Sequence, residues 1–286
     1  MIIKTPQKAL AMAVFSAFTA MTLSQNAVAQ TPWLPSPGSS DLTFSIAEQK
    51  ADKFKPGNAS GDLPSTLKQT NYALAYNYGV SDVLAFDATI GYAKSSFIVV
   101  PGLAPNGGLS GVTDSRLGLR YRLLDDTGAD PISVTLGAAA ILKGSYDTGA
   151  LSSIGDGANA LEVSVSVGKI FNSMFSAYGT VGYRDRKAPV PNENFVKLGA
   201  NLNFTPMFFA GINYEKVDAK DGLDIGGPGF SPPRFPEVQE DYSLSSVTLG
   251  FKINKSLTAA LQFGDKKGQR NTSEGKVVGF SIQAAF

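Results

Sequence analysis

The sequence predicts an all-β fold, a closed antiparallel transmembrane β-barrel of twelve strands. Three observations carry the prediction. From residue 41 onward apolar side chains recur at every second position, with no helical period. Short turns alternate with longer connections, the pattern of a barrel whose two rims differ. Mean hydropathy is near zero, and no run after residue 29 is long enough to cross a bilayer as a helix. That is the signature of lipid-facing residues diluted one in two by lumen residues.

The first 29 residues have the three parts of a secretion signal: Lys4 and Lys8, an apolar stretch from Ala9 to Leu23, and a small-residue cleavage site at Ala27-Val28-Ala29. Ser16, Thr19 and Thr22 interrupt the stretch and no basic stop follows it, so a membrane helix is the weaker reading. Residues 30–40, with Pro32, Trp33, Pro35 and Pro37, read as a periplasmic tether or as a plug folded into the barrel mouth. Residues 41–286 form the barrel.

Within it the first predicted strand carries Leu42, Phe44 and Ile46 on one face. The second has Tyr72, Leu74, Tyr76, Tyr78 and Val80, and turns at Ser81-Asp82 into the third, with Leu84, Phe86, Ala88, Ile90 and Tyr92. Leu117, Leu119, Tyr121 and Leu123 mark the fourth; Ile132, Val134, Leu136, Ala138 and Ala140 mark the fifth. The sixth offers Leu161, Val163, Val165 and Val167, and the seventh Phe175, Ala177, Val181 and Tyr183. Val196 to Phe204 and Phe208 to Tyr214 alternate as the eighth and ninth, joined through Thr205-Pro206. Val247 to Ile253, Leu257 to Phe263 and Phe280 to Phe286 complete the twelve.

Five connections, near residues 81, 127, 173, 206 and 255, are short. The others, roughly 50–66, 96–113, 144–159, 185–194, 216–241 and 265–275, are longer. An exported barrel of this kind belongs in the bacterial outer membrane, short turns toward the periplasm. Its aromatic last residue, Phe286, resembles the signal by which barrel proteins are recognised for membrane insertion.

Aromatic residues near strand ends predict two interfacial girdles: Tyr78, Phe175, Phe204, Phe208 and Phe286 at the turn side, and Tyr92, Tyr183, Tyr214 and Tyr242 at the loop side. The opposite faces hold Asp87, Arg116, Arg120, Arg122, Glu162, Lys197, Glu215 and Lys252, which become the candidate lumen and selectivity residues. Arg116, Arg120 and Arg122 share one inward face. They form either a basic ladder for anionic solutes or ion pairs with acids such as Asp87, Glu162 and Glu215; pairing is the favoured reading, because an unpaired cluster in a confined lumen is costly. Inward glycines recur, among them Gly118, Gly168, Gly182, Gly199 and Gly250, and predict lumen space, close approach of another segment, or strand bending.

With 25 basic and 24 acidic residues, loss of Lys4 and Lys8 with the signal leaves 23 against 24. Nothing in that balance points to nucleic acid. The expected partners are outer-membrane lipids, the barrel-assembly machinery through the C-terminal strand, and a small-molecule solute. The chain has no histidine and no cysteine, so neither a Ser/His constellation nor a disulfide is available. No cofactor or metal is implied: Asp218, Asp221 and Asp224 in the longest loop match no calcium-loop spacing. That loop's GGPGF and SPPRF would suit a lid over the external mouth.

The stretch YNYGVSDVLAFDATIGYA (76–93) resembles the outer-membrane transporter family "MetA-pathway of phenol degradation", and so does DSRLGLRYRL (114–123). The resemblance covers most of the mature chain in spacing, size and terminal Phe. It implies uptake of small molecules, including hydrophobic or aromatic compounds; a passive or facilitated channel is the leading reading, and an enzyme is not expected because the chain has no histidine to act as a base. A structural or adhesive barrel, or a lipid-modifying one, is the alternative.

Overall fold

The computed structural model describes residues 31–97, 108–149 and 152–286. The predicted signal, residues 1–29, lies outside the described residues, as does Gln30. Thirteen strands follow: β1 (Ser40–Phe54), β2 (Gly61–Gly79), β3 (Leu84–Ser96), β4 (Ser110–Val112), β5 (Ser115–Leu124), β6 (Ser133–Leu142), β7 (Ala160–Ile170), β8 (Phe175–Arg186), β9 (Glu193–Asn203), β10 (Phe208–Ala219), β11 (Asp241–Lys252), β12 (Leu257–Arg270) and β13 (Ser273–Ala285). Each pairs antiparallel with its neighbours, and β1 pairs with β13 to close the sheet. Short β4 and long β5 both lie along β3, so they share one place in the wall and the barrel has twelve positions.

Alternation decides which face meets lipid. Leu161, Val163, Ile212, Leu249, Leu261 and Val278 are exposed on the outside of their strands, while Thr43, Glu162, Ser166, Thr180, Asn201 and Gln283 are buried inside. A soluble sandwich would invert that contrast, with its core apolar and its surface charged.

Several strands run longer than the apolar alternation suggests. Predicted from Leu42 to Ile46, β1 continues to Phe54, and β12 continues past Phe263 to Arg270. Backbone pairing goes on where the wall leaves the apolar belt, and only the outward side chains change. They become Glu48, Lys50, Asp265, Lys267 and Lys276, which pair with one another along and across strands. The loops shrink accordingly, to 55–60, 187–192 and 220–240.

Four short turns use one device. Ser81, Asn172, Thr205 and Asn254 each turn a side-chain oxygen back to accept two backbone N–H groups, two and three residues on. The preceding residue donates its N–H to the carbonyl of the first strand residue, as Ile253 does to Leu257 at 2.8 Å. A polar residue three before an apolar one is therefore a hairpin signal in this chain.

One girdle assignment is overturned. Tyr242 shares parity with Leu244, Ser246 and Thr248, so it points into the barrel, where it packs with Phe195 and Val217. Inward glycines prove to be covered rather than open. A Cβ on Gly182 would meet the Phe195 ring at 2.2 Å, and one on Gly250 would meet Phe209 at 1.9 Å. Glycine there lets an aromatic ring from the adjacent strand lie flat on the wall.

Candidate functional site

The lumen is an enclosed polar environment, and most of the predicted charged residues meet in it. Register places Glu162 of β7 opposite Arg184 of β8, and Arg184 opposite Glu193 of β9. From these pairs an unbroken alternating chain extends both ways. Arg120 pairs with Asp87 (3.2 Å), Asp87 with Arg116, Arg116 with Glu162 (3.0 Å) and Glu162 with Arg184 (2.7 Å). Arg184 then meets Glu193, Glu193 meets Arg186, and Arg186 ends the chain at Asp156. Four guanidinium groups and four carboxylates alternate, so the ladder is neutral.

Small residues make room for it. Arg116 and Asp87 cross over Gly118, where a Cβ would sit 2.5 Å from a carboxylate oxygen of Asp87. Arg116 reaches Glu162 over β6, where buried Ala139 faces Gly118 on one side and Glu162 on the other. Arg116 is 1% exposed and Glu162 3%. Buried ions of this kind are tolerable only when each is paired and hydrogen-bonded, which the alternation provides.

The remaining predicted lumen residues lie elsewhere. Lys197 and Glu215 face each other across β9 and β10 at 3.8 Å, apart from the ladder. Arg122 leaves it altogether: it pairs with Asp125 at 3.0 Å and donates to the Asp82 carbonyl, tying two short turns together. Lys252 is half-buried at the turn end of β11 and forms no ion pair among the described residues. Sequence reasoning missed Arg184, Arg186 and Glu193, which it assigned to a strand end and a loop. The usable signal was parity: Arg184 follows Tyr178, Thr180 and Gly182 on the inward face.

At the turn end the lumen is occupied by the chain's own residues 31–34. Trp33 (4% exposed) and Leu34 (2%) are buried, and the Trp33 ring meets Tyr178 edge to face with centroids 6.0 Å apart. The Trp33 indole N–H donates to Asp126 at 3.0 Å, and Asp126 also accepts from Ser133 and from the Ile170 amide. Thr135 donates to the Pro32 carbonyl at 2.6 Å, and Arg120 reaches the carbonyls of Thr31 and Trp33 at 3.4 Å. Gly168 leaves space for Pro32 and the indole.

At the loop end, two connections fold over the mouth. Asp114, where β4 breaks from β5, accepts from Tyr146 at 2.5 Å and from the Gly144 amide, holding this connection at the mouth, where Ile154 is 2% exposed. Residues 220–240, which carry a 3-10 helix at Pro232–Glu237, are fastened by Asn271. Its side-chain oxygen accepts from the amides of Gly57 and Ile225, and its nitrogen donates to the carbonyls of Leu223 and Gln239. Asn271 sits at φ 50°, a conformation asparagine tolerates well. The predicted acidic trio does not converge. Asp224 takes Arg270 in a two-point pair, which holds its carboxyl below the usual range, while Asp218 takes Lys216. Between the ladder and these loops lies a cavity of about 160 Å³.

No family model matches the chain, and no curated protein sequence is similar to it. Solved structures match in fold. An outer-membrane channel from Pseudomonas putida F1 superposes with a TM-score of 0.68 at 13% identity, over 88% of this chain and 97% of that one. The KdgM porin in complex with disordered oligogalacturonate gives 0.52 at 10% identity, covering 87% and 99%. The NanC porin gives 0.50 at 8% identity, covering 86% and 98%. The likeness is one of architecture: the chain has the fold of outer-membrane β-barrel channels and porins.

Proposed function

We propose that the protein is an outer-membrane channel for passive or facilitated uptake of small molecules, closed at its periplasmic end by residues 31–34. The observation that carries the reading is the pairing of an apolar exterior with a charged, cavity-bearing lumen. Likeness in fold to channels and porins supports the same reading. Hydrophobic and aromatic solutes are the class to test first, because the motifs at 76–93 and 114–123 point there. The neutral ladder makes strong anion preference the wrong expectation, since each guanidinium already has its carboxylate.

The test is conductance of the purified, refolded barrel in a planar bilayer. Wild-type protein should show small, infrequent ohmic steps. Trp33→Ala, which removes the indole from Asp126 and Tyr178, should raise conductance severalfold with the barrel still heat-modifiable on gels. Unchanged conductance in that variant would refute the closing role of residues 31–34. A folded barrel silent in both forms would sink the aqueous-channel reading.

A further inference from the structure

The cavity under the external loops has an unusual charge inventory. Most of its charged lining is already engaged: Arg184 and Arg186 share Glu193, Arg186 also holds Asp156, and Asp114 accepts from Tyr146 and Gly144. Two lining groups are different. Neither Lys266, on the inward face of β12, nor Glu240, at the end of the long loop, forms an ion pair or side-chain hydrogen bond among the described residues.

Both are held in place by other means. The Lys266 ammonium lies 4.7 Å from the centroid of the Tyr242 ring, a cation–π contact that orients it without neutralising it. Glu240 follows Gln239, whose carbonyl accepts from Asn271 and whose amide oxygen accepts from Arg270 at 2.8 Å. Burial and the neighbouring Asp156 raise the Glu240 carboxyl to about 7, while Lys266 and Arg186 pull it back from beyond ion-pair distance. Phe235, Val238 and Ile154 give the same cavity an apolar side. A cation and an acid that attract each other without direct contact, beside an apolar wall in one cavity, describe a ligand with the complementary three parts.

We propose that this chamber binds a small zwitterion with an apolar body, the chemistry of an aromatic or branched α-amino acid. The carboxylate goes to Lys266, the ammonium to Glu240, and the side chain against Phe235, Val238 and Ile154. A simple anion or a simple cation would meet only one of the two groups, which is how such a site favours the zwitterion.

The inference rests on the channel reading for its purpose, but binding is measured apart from transport. Calorimetric titration of the full barrel in micelles compares L-phenylalanine with 3-phenylpropanoate, which lacks the ammonium, and 2-phenylethylamine, which lacks the carboxylate. Phenylalanine should bind at least tenfold more tightly than either. Glu240→Gln and Lys266→Gln should each erase that advantage, while Lys266→Arg retains it and shows that the strand position tolerates change. Equal binding of the three probes, or no binding at millimolar concentration, overturns the site. Absent binding in a barrel that conducts sinks this proposal alone; binding in a barrel that never conducts sinks the channel alone.

Discussion

Arg184 concentrates the physics of this lumen in one side chain. It is 1% exposed, pairs with Glu162 at 2.7 Å and with Glu193, and lies with its guanidinium carbon 4.6 Å from the centroid of the Phe195 ring. Replacing it by methionine keeps much of the volume and takes one cation from each of two carboxylates. Breaking a buried pair costs roughly 3–5 kcal/mol. The lower end is expected here, because Glu162 keeps Arg116 and Glu193 keeps Arg186. Urea unfolding of Arg184→Met in micelles should show that loss; an unchanged midpoint would mean water already screens the ladder. At this scale the sequence was half legible. Arg116, Arg120, Asp87 and Glu162 sit among apolar neighbours that define parity, whereas Arg184, Glu193 and Tyr242 lie past the last apolar residue of their strands. There, only continued counting by twos would have placed them.

Among elements, the short turns were the most readable. Each needs only a residue whose side chain folds back on its own backbone, and Ser81, Asn172, Thr205 and Asn254 supply one locally. Asn254→Ala should cost about 0.5–1.5 kcal/mol, since the two freed N–H groups lie where water replaces part of the lost bonding. Equilibrium unfolding checks it, and Asn254→Asp should restore most of the loss because a carboxylate oxygen accepts in the same place. The N-terminal residues 31–34 were not readable in this way. They have no period, and the local side-chain bond from Thr31 to the Trp33 carbonyl does not set where the segment goes. Their position is written in Asp126, Tyr178 and Thr135, which are distant in sequence and converge only once the barrel has closed.

For the molecule as a whole, one period of two separates lipid from lumen, and neighbouring residues test it. Leu261 is 46% exposed on the outer face, while Gln262 beside it is 5% exposed and donates to Ser246 at 2.9 Å. Leu261→Lys should destabilise the barrel by roughly 2–4 kcal/mol, the cost of a lysine near the middle of the lipid face. Gln262→Lys should cost less and shift reversal potential instead, because the new charge faces the lumen. Paired measurements of refolding in vesicles and of single-channel selectivity decide the matter. Equal penalties would mean that the wall is not one-sided. Architecture was legible at this scale because bilayer and lumen impose their contrast on every strand at once, so an error at one residue does not propagate.

The ladder also has a mechanical consequence. Its members come from β3, β5, β7, β8 and β9 and, at Asp156, from the loop before β7, and it passes over β6, so it runs around the circumference and not along the strands. The opposite arc, β11 to β13 with β1, presents Thr43, Ser45, Ser246, Thr248, Ser281 and Gln283, short side chains that span little distance. One half of the ring is therefore braced by buried ion pairs, while the other is joined across its strands by neutral side-chain bonds such as Gln262 to Ser246 and Gln49 to Ser273. Any departure of the cross-section from round is set to occur as a bowing of this more weakly braced arc, with the charged arc as its rigid chord.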